Sequence, residues 1–259
     1  MFNVENLLIN RPLRGTLFDK STNDILFCAD QLSDASLECS GEQVFINDAM
    51  GIKVAGFDRS KDATFTGTSA FINFGLMAAQ LGSDKRNADA ENQIIVPAFE
   101  LIEVKNAQTV TLQYEPAEDI KYIYSTHPDK TKNETFKLAA SASATEFAIS
   151  GKNITLPTGK FKIGDLVAVW YSRKTSEAVA IKNTAKEFSK SGRFVLEVLC
   201  TDFCDTNKVY YTYIIFNNAK LDNALSINFN NEATHQFTIN AMQDYCSANN
   251  ELFTIIVAP

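Results

Sequence analysis

The sequence predicts a mainly β protein: a β-sandwich domain with one flanking α-helix, into which a second β-sandwich is inserted. Three observations carry this. Polar and apolar residues alternate along segment after segment, as in half-buried strands. Between 93 and 183, strand-like segments recur roughly every ten residues and are separated by turn formers, which is the rhythm of a sandwich. A single stretch, ending before Gly82, has the spacing of an amphipathic helix. The expected domains are 1–92 with 184–259, which together form the discontinuous first sandwich, and 93–183, the insertion.

Leu13–Phe18 and Ile25–Asp30 flank a run of turn formers from Asp19 to Asp24 and read as a hairpin. In the next strand, Ser33–Ser40, side chains alternate across the pleat. Ser36, Glu38 and Ser40 therefore share one face, and Ala35, Leu37 and Cys39 share the other. The alternation returns at Ala63–Gly67, where Thr64 and Thr66 oppose Ala63 and Phe65. Between them Gly41–Gly51 reads as a long irregular loop, followed by a strand at Ile52–Asp58. Long loops tend to bind or dock, and Val44, Phe45 and Ile46 put an apolar patch in the middle of this one. The charged cluster Asp58–Asp62 reads as a solvated turn, with Arg59 and Lys61 expected to pair with carboxylates of an adjacent subunit.

A helix is expected from an N-cap at Thr68 or Ser69 to Gly82, with Phe71, Phe74, Met77 and Leu81 along its apolar stripe, supported by Ile72 and Leu76. The polar, aperiodic run Ser83–Asn92 marks a boundary. Strands are then expected at Val110–Tyr114, Lys121–Ser125, Glu134–Leu138, Glu146–Ser150, Asn153–Leu156, Leu166–Tyr171 and Ala178–Asn183. From Phe194 the pattern returns to longer strands: Val195–Cys200, Val209–Phe216, Leu225–Phe229, His235–Ile239 and Leu252–Val257. The aromatic run Tyr210, Tyr211, Tyr213 and Phe216 reads as core and cross-strand pairs.

Composition excludes several functions. With 259 residues, 45% hydrophobic and 21% charged, the chain has a globular composition. A formal charge of −7 opposes affinity for phosphate backbones. No apolar run reaches the roughly 18–20 residues that cross a bilayer, and the opening residues lack a secretion pattern, so synthesis and retention in the cytoplasm are expected. The five cysteines suit a reducing compartment and read as buried thiols, in preference to a zinc site of Cys28, Cys39, Cys200 and Cys204. His127 and His235 belong to no catalytic motif. The 11 glycines form no phosphate-cradling pattern, and no nucleophile elbow occurs. No enzyme activity, metal or cofactor is expected.

The order of a hairpin, LSDASLECS, an apolar loop, IKVAGFDRS with DATFTG, one helix, and then GRFVLEVLCTDFCDTNKVYYTYIIFNNAKL and INFNNEATHQFTINAMQDYCSANNELFTIIV resembles the major tail tube proteins of long-tailed bacteriophages. The match covers Leu13–Gly82 and Gly192–Val257. The resemblance implies a virion protein that assembles with itself as six-membered rings stacked into a tube, contacts other tail proteins and lets double-stranded DNA pass without binding it. It also implies that the insertion is an outward, immunoglobulin-like decoration, although such domains usually follow the tube domain. Repeated negative charge around a bore favours passage over sticking. On this reading Ser36, Glu38, Ser40, Thr64 and Thr66 line the bore. Val44, Phe45 and Ile46, Arg59 and Lys61, and an N-terminal arm carrying Leu7, Leu8 and Ile9 join subunits. A phage head or decoration protein and a carbohydrate-binding sandwich are the alternative readings.

Overall fold

A computed structural model describes residues 6–227, 234–245 and 250–259. The molecule is mainly β, and it divides into two compact units, Met1–Lys85 with Ile181–Pro259, and Arg86–Ala180.

The first unit opens with β1 (Leu7–Asp19) and β2 (Ile25–Asp30), joined by a turn organised by one carboxylate. Asp19 accepts hydrogen bonds from the backbone N–H groups of Ser21 and Thr22 and from the Ser21 hydroxyl, which together lower its pKa to about 2. Two long strands follow, β3 (Leu32–Asn47) and β4 (Lys53–Ser69). They pair antiparallel from Leu32↔Ser69 to Asn47↔Lys53. The expected loop at 41–51 and the expected charged turn at 58–62 are therefore strand. The real turn spans only 48–52.

Helix α1 (Phe74–Leu81) starts later than expected because β4 continues through Ser69. Its N-cap is Asn73, whose side-chain oxygen accepts from the Leu76 N–H at 3.0 Å while its amide donates to the Cys28 carbonyl at 2.7 Å. Gly82 closes the helix as expected, at φ 72°. A Cβ at this position would lie 2.0 Å from the Phe188 carbonyl oxygen. The buried helix face is also not the expected one. Leu76, Ala78, Ala79 and Gln80 face inward, whereas Phe71 and Phe74 are exposed. Small residues allow the helix to sit close on the sheet.

The second unit contains β5 (Arg86–Asn87), β6 (Ile94–Glu103), β7 (Thr109–Thr111), β8 (Tyr122–Thr126), β9 (Lys132–Leu138), β10 (Glu146–Ser150), β11 (Asn153–Thr155), β12 (Leu166–Thr175) and β13 (Val179–Ala180). Seven of them run in the order β6-β12-β8-β9-β10-β11-β7, and β13 pairs with β5. The β9–β10 pairing is parallel. Their inward residues, among them Ile123, Phe136, Phe147, Ile154, Val167 and Val169, form one core. Strand β6 is absent from the sequence expectation: IIVPAFELIE carries a proline, and it reads as an apolar run rather than an alternation. Beside this core the Tyr171 hydroxyl donates to the Glu100 carboxylate, which also accepts the Gln113 N–H. Burial and this carboxylate push the Tyr171 pKa up to about 12.

The chain then returns to the first unit through β14 (Ser191–Asp202), β15 (Val209–Leu221), β16 (Ser226–Ile227), β17 (His235–Ala241) and β18 (Thr254–Ala258). The sheet order is β2-β1-β14-β15-β17-β4-β3, with β16 on β17 and β18 on β15. One edge of β15 is shared. Tyr211–Ile215 pair with β18, and Ala219–Leu221 pair with β17. A bulge between Gly192 and Phe194 lies where β15 changes partner, the device by which a strand turns a sandwich corner. Phe27, Phe65, Phe194, Phe216 and Phe237 meet inside, with the Phe65 and Phe194 ring centroids 5.3 Å apart. The expected strand Leu225–Phe229 is observed at Ser226–Ile227, and its remainder lies outside the described residues.

His235 is fully buried between α1 and β17. Its Nδ1 accepts the Asn73 N–H, which leaves Nε2 to donate to the Gln80 side-chain oxygen at 2.6 Å. Gln80 in turn donates to the carbonyls of Ala224 and Gln236. Burial lowers the imidazole pKa. The unfolded chain thus takes up a proton near pH 6.5 before the folded one does. The contribution of this group to stability is complete above that pH and is lost as pH falls through the folded pKa. The expected outcome is that His235→Gln narrows the melting-temperature difference between pH 7.5 and pH 5, measured by circular dichroism.

Candidate functional site

Beyond the body of the first unit, the distal half of the β3–β4 hairpin has no further sheet partner. Strand β17 pairs with β4 only from Thr64 to Ser69, so among the described residues the stretch Lys53–Ala63 is paired on one edge alone, by β3. Among the described residues the other edge of β3 is likewise unpaired, because β3 ends the sheet. A two-stranded ribbon in water is marginally stable unless it packs on something.

The ribbon is apolar where it is least covered. Val44 pairs with Phe57 and Ile46 with Ala55 on one face. On the other, Phe45 pairs with Gly56, and alternation places Val54 beside it. A Cβ at Gly56 would meet the Phe45 ring at 3.0 Å, and the Lys53 amine lies 3.8 Å from the centre of that ring. At the tip the Asp48 carboxylate accepts the N–H groups of Met50 and Ile52. Phe57 is 58% exposed and Met50 80%. Both faces and the tip together thus present Val44, Phe45, Ile46, Ile52, Val54 and Phe57 to solvent. Single exposed apolar residues are ordinary; a contiguous set marks an interaction site.

At the base of the ribbon the structure brings the five polar residues expected to share a face together. Ser36 stands opposite Thr66, which stands opposite Thr238, while Glu38, Thr64 and Asn240 form the next row and Ser40 faces Asp62. The face continues through Asp34, Thr68 and Gln236. Its charged members on β3 and β4, Asp34, Glu38 and Asp62, are all acidic; one strand beyond β17, Lys220 stands opposite Asn240 and its amine donates to the Ser189 carbonyl. The buried side of the same strands carries Ala63, Phe65, Phe237 and Ile239.

The other candidates are spread more widely. Arg59 lies 3.7 Å from Glu42 across its own hairpin, so its one close carboxylate partner here belongs to the same chain. Lys61 lines a groove of about 500 Å³ with Cys39, Asp58, Asp62, Leu252 and Phe253. Leu7, Leu8 and Ile9 begin β1 and pair with Asp202, Thr201 and Cys200, in place of a free arm. Leu7 packs on the core, whereas Leu8 and Ile9 are exposed. The first five residues lie outside the described ones. Of the thiols expected to be buried, only Cys200 is; Cys39 and Cys204 are exposed, Cys28 is half-buried, and Cys246 lies outside the described residues. The described residues bring together no group of His, Cys, Asp or Glu suited to a metal ion, and they include no helix long and apolar enough to cross a membrane.

Sequence reasoning missed Ile52, Val54 and Phe57 as partners of Val44–Ile46. The signal was present: two apolar runs bracket Asn47, Asp48 and Gly51, the signature of a hairpin.

A family model matches residues 9–255, nearly the whole chain, and its description is YomU/Tube protein family. The chain belongs to that family. It is accordingly a phage tube-like structural protein, of a kind that is generally not enzymatic, and a component of the virion tail that works with other tail proteins. A search of curated proteins gives no match.

Phe57 packs against little in the isolated chain, whereas Phe65, further along the same strand, is fully buried. Chemical denaturation is expected to show Phe57→Ala within about 0.5 kcal/mol of the unaltered protein, and Phe65→Ala destabilised by about 3–5 kcal/mol.

Proposed function

We propose that copies of this chain join into six-membered rings that stack as the tail tube, a conduit for DNA ejection. The single observation that supports this most is the β3–β4 ribbon, apolar on both faces and at its tip and unpaired along its edges. Such an element is suited to lie between two neighbours, giving backbone hydrogen bonds to one and apolar surface to the other. Stacking is head-to-tail, so the ribbon of one subunit needs a different receiving surface on the next. The exposed Leu8 and Ile9 are the receiving surface we assign.

The polar face of Ser36, Glu38, Ser40, Thr64 and Thr66 supports the role of bore lining. Its three carboxylates, repeated around each ring, set up a potential that repels phosphate, and its hydroxyls give DNA no fixed positive charge to hold. Arg59 and Lys61 remain accessible for carboxylates of a neighbour, since the Arg59–Glu42 pair is exposed and contributes little. The second unit, an immunoglobulin-like sandwich on this reading, decorates the outside of the tube.

Electron microscopy and sedimentation of the purified protein test this. The unaltered chain is expected to form hollow, ring-stacked tubes. Val44→Asp with Phe57→Asp is expected to leave the melting temperature within a few degrees and to abolish tubes, and tubes of normal length from that variant would overturn the assignment of the ribbon. Glu38→Lys is expected to assemble normally while retaining DNA in the bore; unhindered passage would remove that strand from the lining.

A further inference from the structure

The second unit carries an aromatic surface apart from the residues assigned to tube assembly. On the outer side of its sheet Phe99 of β6 pairs directly with Trp170 of β12, and their ring centroids lie 4.5 Å apart with planes tilted 34°. Tyr124 of β8 pairs with Ala168, so alternation places Tyr122 on the same side as Trp170. The residues between them, Ile123, Val167, Val169 and Tyr171, point into the core. Three adjacent strands therefore display aromatic rings along one face, across about 10 Å at ordinary strand spacing. Phe99 is 49% exposed, Trp170 61% and Tyr122 43%. A contiguous set of exposed rings of this kind marks an interaction site.

We infer that this aromatic face binds a polysaccharide without net charge, by stacking on the apolar faces of its sugar rings. Ile95, 52% exposed, and Pro97 lie on the same side of β6 as Phe99 and lengthen the apolar strip along that strand. Charge argues against a nucleic acid. Single-stranded nucleic acids need aromatic platforms set in a positively charged groove, whereas here Lys137 is register-paired with Glu146, and the β6–β12 pair carries Lys174 at one end and Glu103 at the other. The Lys132 amine is held over the Tyr124 ring. A balanced rim of amines, carboxylates and the Ser172 and Thr135 hydroxyls suits a ligand whose edges are all hydroxyl groups, since those can both donate and accept. Sugar binding in this unit is independent of whether the other unit forms a tube.

The chain has one tryptophan, so its fluorescence reports on this face alone. The full-length protein is titrated with hydroxyethylcellulose, galactomannan, soluble glucan and chitin oligosaccharides, and separately with oligo(dT), while sedimentation reports self-association. The expected result is a blue shift of Trp170 emission and protection from acrylamide quenching with at least one of the neutral glycans, with no response to oligo(dT). By analogy with ring stacking on bases, Phe99→Ala and Tyr122→Ala should each weaken that response about tenfold. Both variants keep the reporter, and unchanged circular dichroism shows that they fold. No response to any glycan, a response to oligo(dT) in their place, or self-association abolished by Phe99→Ala would each overturn the proposal. Unaltered glycan binding in both variants would do so too.

Discussion

Backbone hydrogen bonding is the constraint on which this molecule depends. Every strand of the first unit except the outermost ones finds neighbours on both edges, and the hairpin of β3 and β4 extends beyond that shared sheet, where only its own two strands pair. Natural proteins usually blunt such edges with charge, proline or bulges. Here the register shifts at Glu42–Gln43 and Ile46–Asn47 twist the ribbon, yet its side chains at Val44, Phe45, Ile46, Val54 and Phe57 are apolar. An edge so composed invites pairing with another chain.

The rest of the first unit holds that ribbon in a fixed direction. Five buried phenylalanines clamp the base of β4 against β14, β15 and β17, and α1 closes the end of the core at Ser69, opposite the end from which the ribbon extends. The half-buried Asn73 and the buried His235 and Gln80 bond the helix to β17 through directional contacts that apolar packing alone does not supply. Glycine has a specific role at two positions. Gly82 takes a left-handed backbone against Phe188, and Gly192 allows β14 to pass the Phe18 carbonyl, which a Cβ would approach to 2.0 Å. The ribbon thus projects from a stiff base, which sets its direction before any partner is met.

Much of this was legible in the sequence because side-chain alternation reports which face of a strand is wet. The mainly β class and the single helix ending at Gly82 followed from periodicity and turn chemistry, and so did the shared face of Ser36, Glu38, Thr64 and Thr66. What was not legible had physical causes. Gly41, Asn47 and Gly51 suggested an irregular loop, because turn residues mark local bends but do not show that Val44–Ile46 pair with Ala55–Phe57 across them. The charges from Asp58 to Asp62 suggested a turn, whereas a ribbon open to water on both faces tolerates charge in the middle of a strand. Phe71 and Phe74 suggested the helix's inner face, but close approach to the sheet selects Ala78 and Ala79. Strand β6 was hidden by Pro97, and with it the pairing that brings Phe99 to Trp170.

The most direct test of the central claim is a cryo-electron microscopy map of the assembled protein at side-chain resolution. The account predicts that residues 41–61 lie buried between subunits, with Phe57 and Val44 in contact with another chain and the Glu38–Thr64–Asn240 row facing an open channel. An assembly in which both faces of that ribbon stay in solvent, with subunits joined elsewhere, would contradict it.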